Sequence, residues 1–258
     1  MSEPLLAHPP PLQTAPFTVG GAISTTFAVW ARNLVPFTLL TLALEAPVYL
    51  LTWLAQDGGS GAQRAVQFLG QLVSLVVTAA LTYGVLRSLA GERVELGRLF
   101  SVGLSRFGAV LGTSILVGLA VIVGLILLIV PGIIVGVGLS VALPALLAEK
   151  DLGATAALSR SWELTKGRRW EVFAVLLVIG LVMLVGVLVL GGVIGLAVGV
   201  TAGLGGDGTG FVALVGIAVG VISAPLTALY ACAPAVLYRD LRVQKEGVDT
   251  ASLAAVFE

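Results

Sequence analysis

The chain has 258 residues, 58% of them hydrophobic and only 11% charged, with a formal net charge of zero and a mean hydropathy of +1.07. Soluble domains carry about 25% charged residues, so too little polar surface is present to cover a soluble globule, and the apolar runs are long enough to cross a bilayer. A balanced charge also gives no general attraction to nucleic acid, and the sequence reads as an all-α polytopic membrane protein.

Residues 1–16, MSEPLLAHPPPLQTAP, are Pro-rich, carry no Lys or Arg and lack the compact apolar segment of a secretory signal. They are expected to form a disordered cytoplasmic tail holding His8, the sole histidine. Residues 17–33 form a candidate interfacial helix, with Phe17, Ile23, Phe27 and Trp30 on an apolar side and Arg32 at its inner end. Residues 34–55 make a first span and 65–86 a second. From Phe107 to Ala148 the chain stays apolar. As one helix at about 1.5 Å per residue it would far exceed a bilayer core of about 30 Å, so it must fold back. Pro131 and Gly132 are the expected helix break, giving spans at 107–130 and 132–148. The run 170–204 is too long to stand upright and is expected to tilt, kink or protrude, and 211–238 makes a sixth span. The membrane domain is thus 17–245, followed by a cytoplasmic tail, 246–258. Cys232 is the only cysteine, so no disulfide forms within one chain, and its apolar surroundings suggest a small buried hydrophobe.

Basic residues orient this six-span bundle, because Lys and Arg of short loops stay cytoplasmic. Only Arg64 falls at the far side; the other 13 of 14 basic residues share one side, Arg32 before span one, Arg87 to Arg106 between spans two and three, Lys150 to Arg169 between four and five, and Arg239, Arg242 and Lys245 at the end. Both termini are therefore expected in the cytoplasm.

The 4–5 connection, TAALSRSWELTKGRRW at 155–170, has helical spacing, with Asp151 as N-cap and Gly167 as terminator. Ala154, Ala157, Leu158, Ser161, Trp162 and Thr165 fall on one face; Arg160, Glu163 and Lys166 fall on the other, spaced to pair. Such a helix is expected in the membrane interface with Trp162 and Trp170 at headgroup depth. It serves either as an anchor and topology signal or as an anionic-lipid or partner patch built from Arg160, Lys166, Arg168 and Arg169.

Glu45 sits in the middle of span one, where a carboxylate is costly. Pro47 loosens the helix beside it, and Gln71, Ser74 and Thr78 of span two lie at matching depth to hydrogen-bond it. This is a structural acid or a proton-coupled or solute-binding site. Gly191, Gly195, Gly199 and Gly203 recur every fourth residue in span five, and Gly108 with Gly112, Gly132 with Gly136 and Gly216 with Gly220 repeat the spacing, which allows close helix packing within one chain or between chains. With the sole histidine in the tail and no aspartate inside a span, no catalytic dyad or metal cluster assembles, and no cofactor is expected.

Two motifs carry a family resemblance. In PGIIVGVGLSVALPALLAEKDLGATAALSRSWELTKGRRW, Pro-Gly opens a span, Pro144 lies near its end, Glu149 follows, and Ala157, Leu158, Arg160, Ser161, Leu164 and Gly167 make an Ala-Leu-x-Arg-Ser-x-x-Leu-x-x-Gly pattern. LYRDLRVQKEGVD, Leu237 to Asp249, is the second. The chain resembles the membrane domain found beside bacterial glycerophosphodiester phosphodiesterase domains, together with YciC-type inner-membrane proteins. The resemblance implies a six-helix inner-membrane protein of poorly defined role. With no phosphodiesterase domain in this sequence, that activity is not expected to carry over. The expected function is that of a non-enzymatic scaffold or regulator in envelope or lipid homeostasis. Its expected partners are membrane lipids, other membrane proteins or a second copy, and not nucleic acid; the alternative is a small-solute or lipid transporter using Glu45.

Overall fold

A computed structural model describes residues 17–55, 58–92, 95–149, 152–203 and 209–247. The tail with His8, the proposed Asp151 cap, Arg93, Lys150 and the chain after Gly247 lie outside the described residues. The helices run α1 (Val19–Arg32), α2 (Leu34–Leu54), α3 (Gly59–Leu89), α4 (Leu96–Ser105), α5 (Phe107–Leu127), α6 (Ile129–Leu139), α7 (Ala142–Ala148), α8 (Ala154–Thr165), α9 (Arg169–Gly203) and α10 (Thr209–Glu246). Among the described residues, six segments are long and apolar enough to span a membrane: α2, α3, α5, α6 with α7, α9, and α10 from Ala218.

The centre of the bundle is the C-terminal half of α3 against α10. Almost every residue from Val77 to Leu86 is buried, which explains why no single apolar stripe marks this helix. Small residues let its neighbours close in. A side chain at Gly84 would meet the Phe37 ring at 3.0 Å and Leu99 at 3.2 Å. The outer surfaces of α5 and α9 expose Leu, Ile and Val, as a lipid-facing layer requires.

The fold-back between the third and fourth spans comes earlier than the sequence suggests. The one extended residue is Leu128 (φ −169°, ψ 155°), and α6 begins at Ile129, so Pro131 and Gly132 lie in its first turn. Proline fits there because the N–H groups of a first helical turn have no intrahelical acceptor in any case. Gly132 still matters, but for packing: a Cβ on Gly124 would come within 2.9 Å of its Cα, so the two glycines are where α5 and α6 touch. The fourth span is itself interrupted at Ser140 and Val141, three residues before Pro144, which cannot donate to a continuing helix. The Ser140 hydroxyl donates to the Val137 carbonyl at 2.8 Å, so the break is satisfied locally.

Helix α1 is capped by Thr18, whose Oγ1 accepts from the Gly21 amide at 3.1 Å. It packs on α10 and α9, burying Ala22, Thr26 and Val29 more deeply than Ile23, Phe27 and Trp30. The Trp30 indole N–H donates to the Pro225 carbonyl of α10 at 2.8 Å. Its inner side is therefore a protein contact and not simply an apolar face laid into lipid.

Among the described residues nothing packs closely against the glycine stripe of α9. Gly191, Gly195 and Gly199 are exposed, and a Cβ on any of these or on Gly203 meets nothing within 4 Å. The close approaches are made elsewhere, by Gly103 of α4 against α3, Gly124 of α5 against α6, Gly138 of α6 against α8 and Gly186 of α9 against α10. At 35 residues α9 is about 52 Å long, well beyond a core of about 30 Å, as its length led us to expect.

Candidate functional site at the charged end of the bundle

Hydrogen bonds place several helix ends together. Asn33, before α2, donates to the Ser88 hydroxyl at the end of α3 at 2.8 Å, and Arg106, before α5, reaches the Leu146 carbonyl of α7 at 3.4 Å. Helix α8 lies at this end. Gly167 has φ +87°, the left-handed conformation that ends a helix, and the Arg168 amide closes back on the Thr165 carbonyl at 3.0 Å. The N-cap position is Gly153, which makes no side-chain capping bond.

The face that α8 buries is rotated from the expected one. Ala157, Ser161, Leu164 and Thr165 are buried, whereas Ala154 and Leu158 are partly exposed and Trp162 is 38% exposed. The cause is α6. Gly138 lies in its last turn, where carbonyls have no intrahelical donor, and its oxygen accepts from Ser161 Oγ at 2.8 Å and Thr165 Oγ1 at 3.2 Å. With no Cβ on Gly138, the Trp162 ring settles directly over it; an alanine there would stand 2.5 Å from the ring.

Arg160, spaced to pair with Glu163, turns inward instead. Its Nε donates to Glu149 Oε1 at 2.8 Å, and its Nη2 bonds Glu246 Oε1 at the end of α10. The buried Tyr238 hydroxyl donates to the same Glu149 oxygen at 3.0 Å, and Arg242 Nε donates to Glu246 Oε2 at 2.9 Å. Two carboxylates, two guanidiniums and a phenol thus tie α7, α8 and α10 together. Burial works to lower the pKa of Arg160, but its bonds to Glu149 and Glu246 outweigh this and hold it charged above the ordinary arginine value. Both family motifs feed this cluster, Glu149 and Arg160 from one, Tyr238, Arg242 and Glu246 from the other. The sequence signal was opposite charges placed at span ends that share one side.

Of the four residues of the expected patch, Arg160 is therefore committed to the bundle. Arg168 pairs with Glu171 at 2.9 Å, a half-buried surface i,i+3 pair worth about 0–1 kcal/mol. Arg169 lays its guanidinium over the Trp162 ring, 3.8 Å from the centroid, and Lys166 is exposed. Lys166 and Arg169 line an open cleft of about 780 Å³ with Trp162, Glu163, Ser159, Leu158 and Leu139.

The second candidate site does not assemble as expected. Glu45 is partly buried in mid-span, and its Oε2 accepts from the Tyr49 hydroxyl at 2.9 Å, one turn along the same helix. Gln71 is exposed, and Thr78 donates to the Ser74 carbonyl at 2.8 Å within α3, so these three make no hydrogen bond to Glu45. A Glu-x-x-x-Tyr spacing in the sequence was the signal for the true partner.

Over residues 109–239 the sequence matches the family described as the membrane domain of glycerophosphoryl diester phosphodiesterase. No curated protein and no solved structure matches the chain. The matched stretch runs from α5 to Arg239, takes in Glu149, Arg160 and Tyr238, and covers just over half of the sequence, so the chain belongs to this family of membrane domains.

Proposed function

We propose that the protein works without catalysis, as a bacterial inner-membrane scaffold or regulator in envelope or lipid homeostasis that holds lipid or a partner protein on the outer face of α8. The observation that carries this reading is the division of labour on that helix. Its hydroxyls and Arg160 hold it to the bundle, while Trp162 and Lys166 are exposed and Arg169 lines the open cleft beside them. The cluster of Glu149, Arg160, Arg242 and Glu246 satisfies its own charges, which favours a structural role over acid–base work. The one-sided basic residues support a cytoplasmic location for this end and for both termini.

Purification of the full chain in mild detergent tests the reading. The wild type should retain a lipid or a protein that is lost from the Lys166→Gln/Arg169→Gln variant. Equal retention by the two proteins would contradict it. For orientation, cysteine at Ser60 should label from outside intact cells, and cysteine at Ser101 or Lys166 only after permeabilisation; the reverse pattern would overturn the cytoplasmic assignment.

A second reading, transport of a small solute or lipid using Glu45, is supported by the mid-span carboxylate and its bond to Tyr49. It predicts that Glu45→Gln abolishes complementation of a deletion strain while leaving folding intact. Full complementation by that variant would remove it.

A further inference from the structure

We propose that the cleft beside α8 seats the headgroup of one phospholipid, a singly charged phosphodiester with a hydroxyl-bearing headgroup of the phosphatidylglycerol kind. The proposal rests on the lipid-binding reading above and names its ligand.

Elimination among the nearby cations comes first. Arg160 is held by Glu149 and Glu246, Arg242 by Glu246, Arg168 by Glu171, and Lys245 by the Glu163 carbonyl. Lys166 and Arg169 have no acidic partner among the described residues, and both line the cleft. Arg169 is also oriented. Its guanidinium carbon lies over the Trp162 ring, 3.8 Å from the centroid, and its buried Nε has no hydrogen-bond partner among the described residues. A stacked, unsaturated guanidinium beside a free ammonium suits a phosphate.

The remaining wall selects a lipid over a soluble phosphate. Leu139 and Leu158 give the cleft an apolar side that a free phosphate would not use. Arg169 is the first residue of α9, and the next residue, Trp170, is 83% exposed, as aromatic side chains at the lipid boundary are. A cleft of about 780 Å³ is roomy enough for a headgroup and its glycerol. The charge count selects the headgroup. Among the lining side chains, two cations against the Glu163 carboxylate leave one net positive charge, which a phosphodiester balances. A headgroup ammonium would upset that balance, whereas hydroxyls can donate to Glu163 and Ser159.

The full chain, purified in detergent, is exposed to phosphatidylglycerol or phosphatidylcholine and analysed by native mass spectrometry. The wild type should hold one phosphatidylglycerol in preference to phosphatidylcholine. Lys166→Gln/Arg169→Gln should bind it about thirtyfold more weakly, and Arg64→Gln, a charge change on α3 away from the cleft, should bind as wild type does. Should the double variant prove unstable, Lys166→Gln alone, at an exposed position, should still weaken binding about fivefold. Equal binding by wild type and variants, or displacement by millimolar inorganic phosphate, would overturn the proposal. Should the variant lose a protein or another lipid instead, the headgroup assignment falls and the scaffold reading stands; if the wild type retains nothing at all, both fall.

Discussion

The α8 cluster and the glycine stripe of α9 were equally visible as patterns in the sequence, yet among the described residues only the cluster is closely engaged. Arg160 finds Glu149 and Glu246 across three helices, while a Cβ on Gly191, Gly195, Gly199 or Gly203 would meet nothing within 4 Å among the described residues. The difference is one of cost. A charge near the membrane that lacks a partner is expensive, so a charged residue at a span end points to another residue. A glycine on a lipid-facing helix costs little, so its spacing permits packing without requiring it.

The largest effect should come from the charged region. Arg160→Ala leaves Glu149 and Glu246 without their shared partner, and should lower stability by about 2–3 kcal/mol, read as a drop in the midpoint of denaturation in detergent. An unchanged midpoint would mean that the cluster is incidental. Gly138→Ala comes next. Its Cβ would stand 2.5 Å from the Trp162 ring, so α8 must shift, at a cost of about 1–3 kcal/mol; the same variant should alter Trp162 fluorescence. Gly195→Ala should have the smallest effect and the opposite sign. Nothing lies within 4 Å of its Cβ position, and alanine in a helix interior is more stable than glycine by about 0.5–1 kcal/mol. A clear loss of stability there would instead mean that something packs against the stripe.

How much of this was legible beforehand follows the same division. The spans, the gathering of basic residues and the Gly167 terminus could be read because hydropathy, charge and left-handed backbone are properties of single residues or short runs. The break at Leu128 was misplaced by three residues because Pro131 is compatible with a first helical turn and marks the neighbourhood of a break only loosely. The buried face of α8 was misjudged because its orientation is set by the Gly138 carbonyl on α6, which has no signature within α8 itself. Glu45 was matched to the wrong helix because depth in the membrane was weighed and the nearer i,i+4 tyrosine was not.

Arg160 and Glu246 join the charged segment after α7 to the end of α10. A double-mutant cycle of Arg160→Gln and Glu246→Gln, read as stability in detergent, tests this link most directly. The double variant should lose less than the sum of the single losses, with a coupling of about 1 kcal/mol or more. Strict additivity would show that the two residues do not interact and would contradict it.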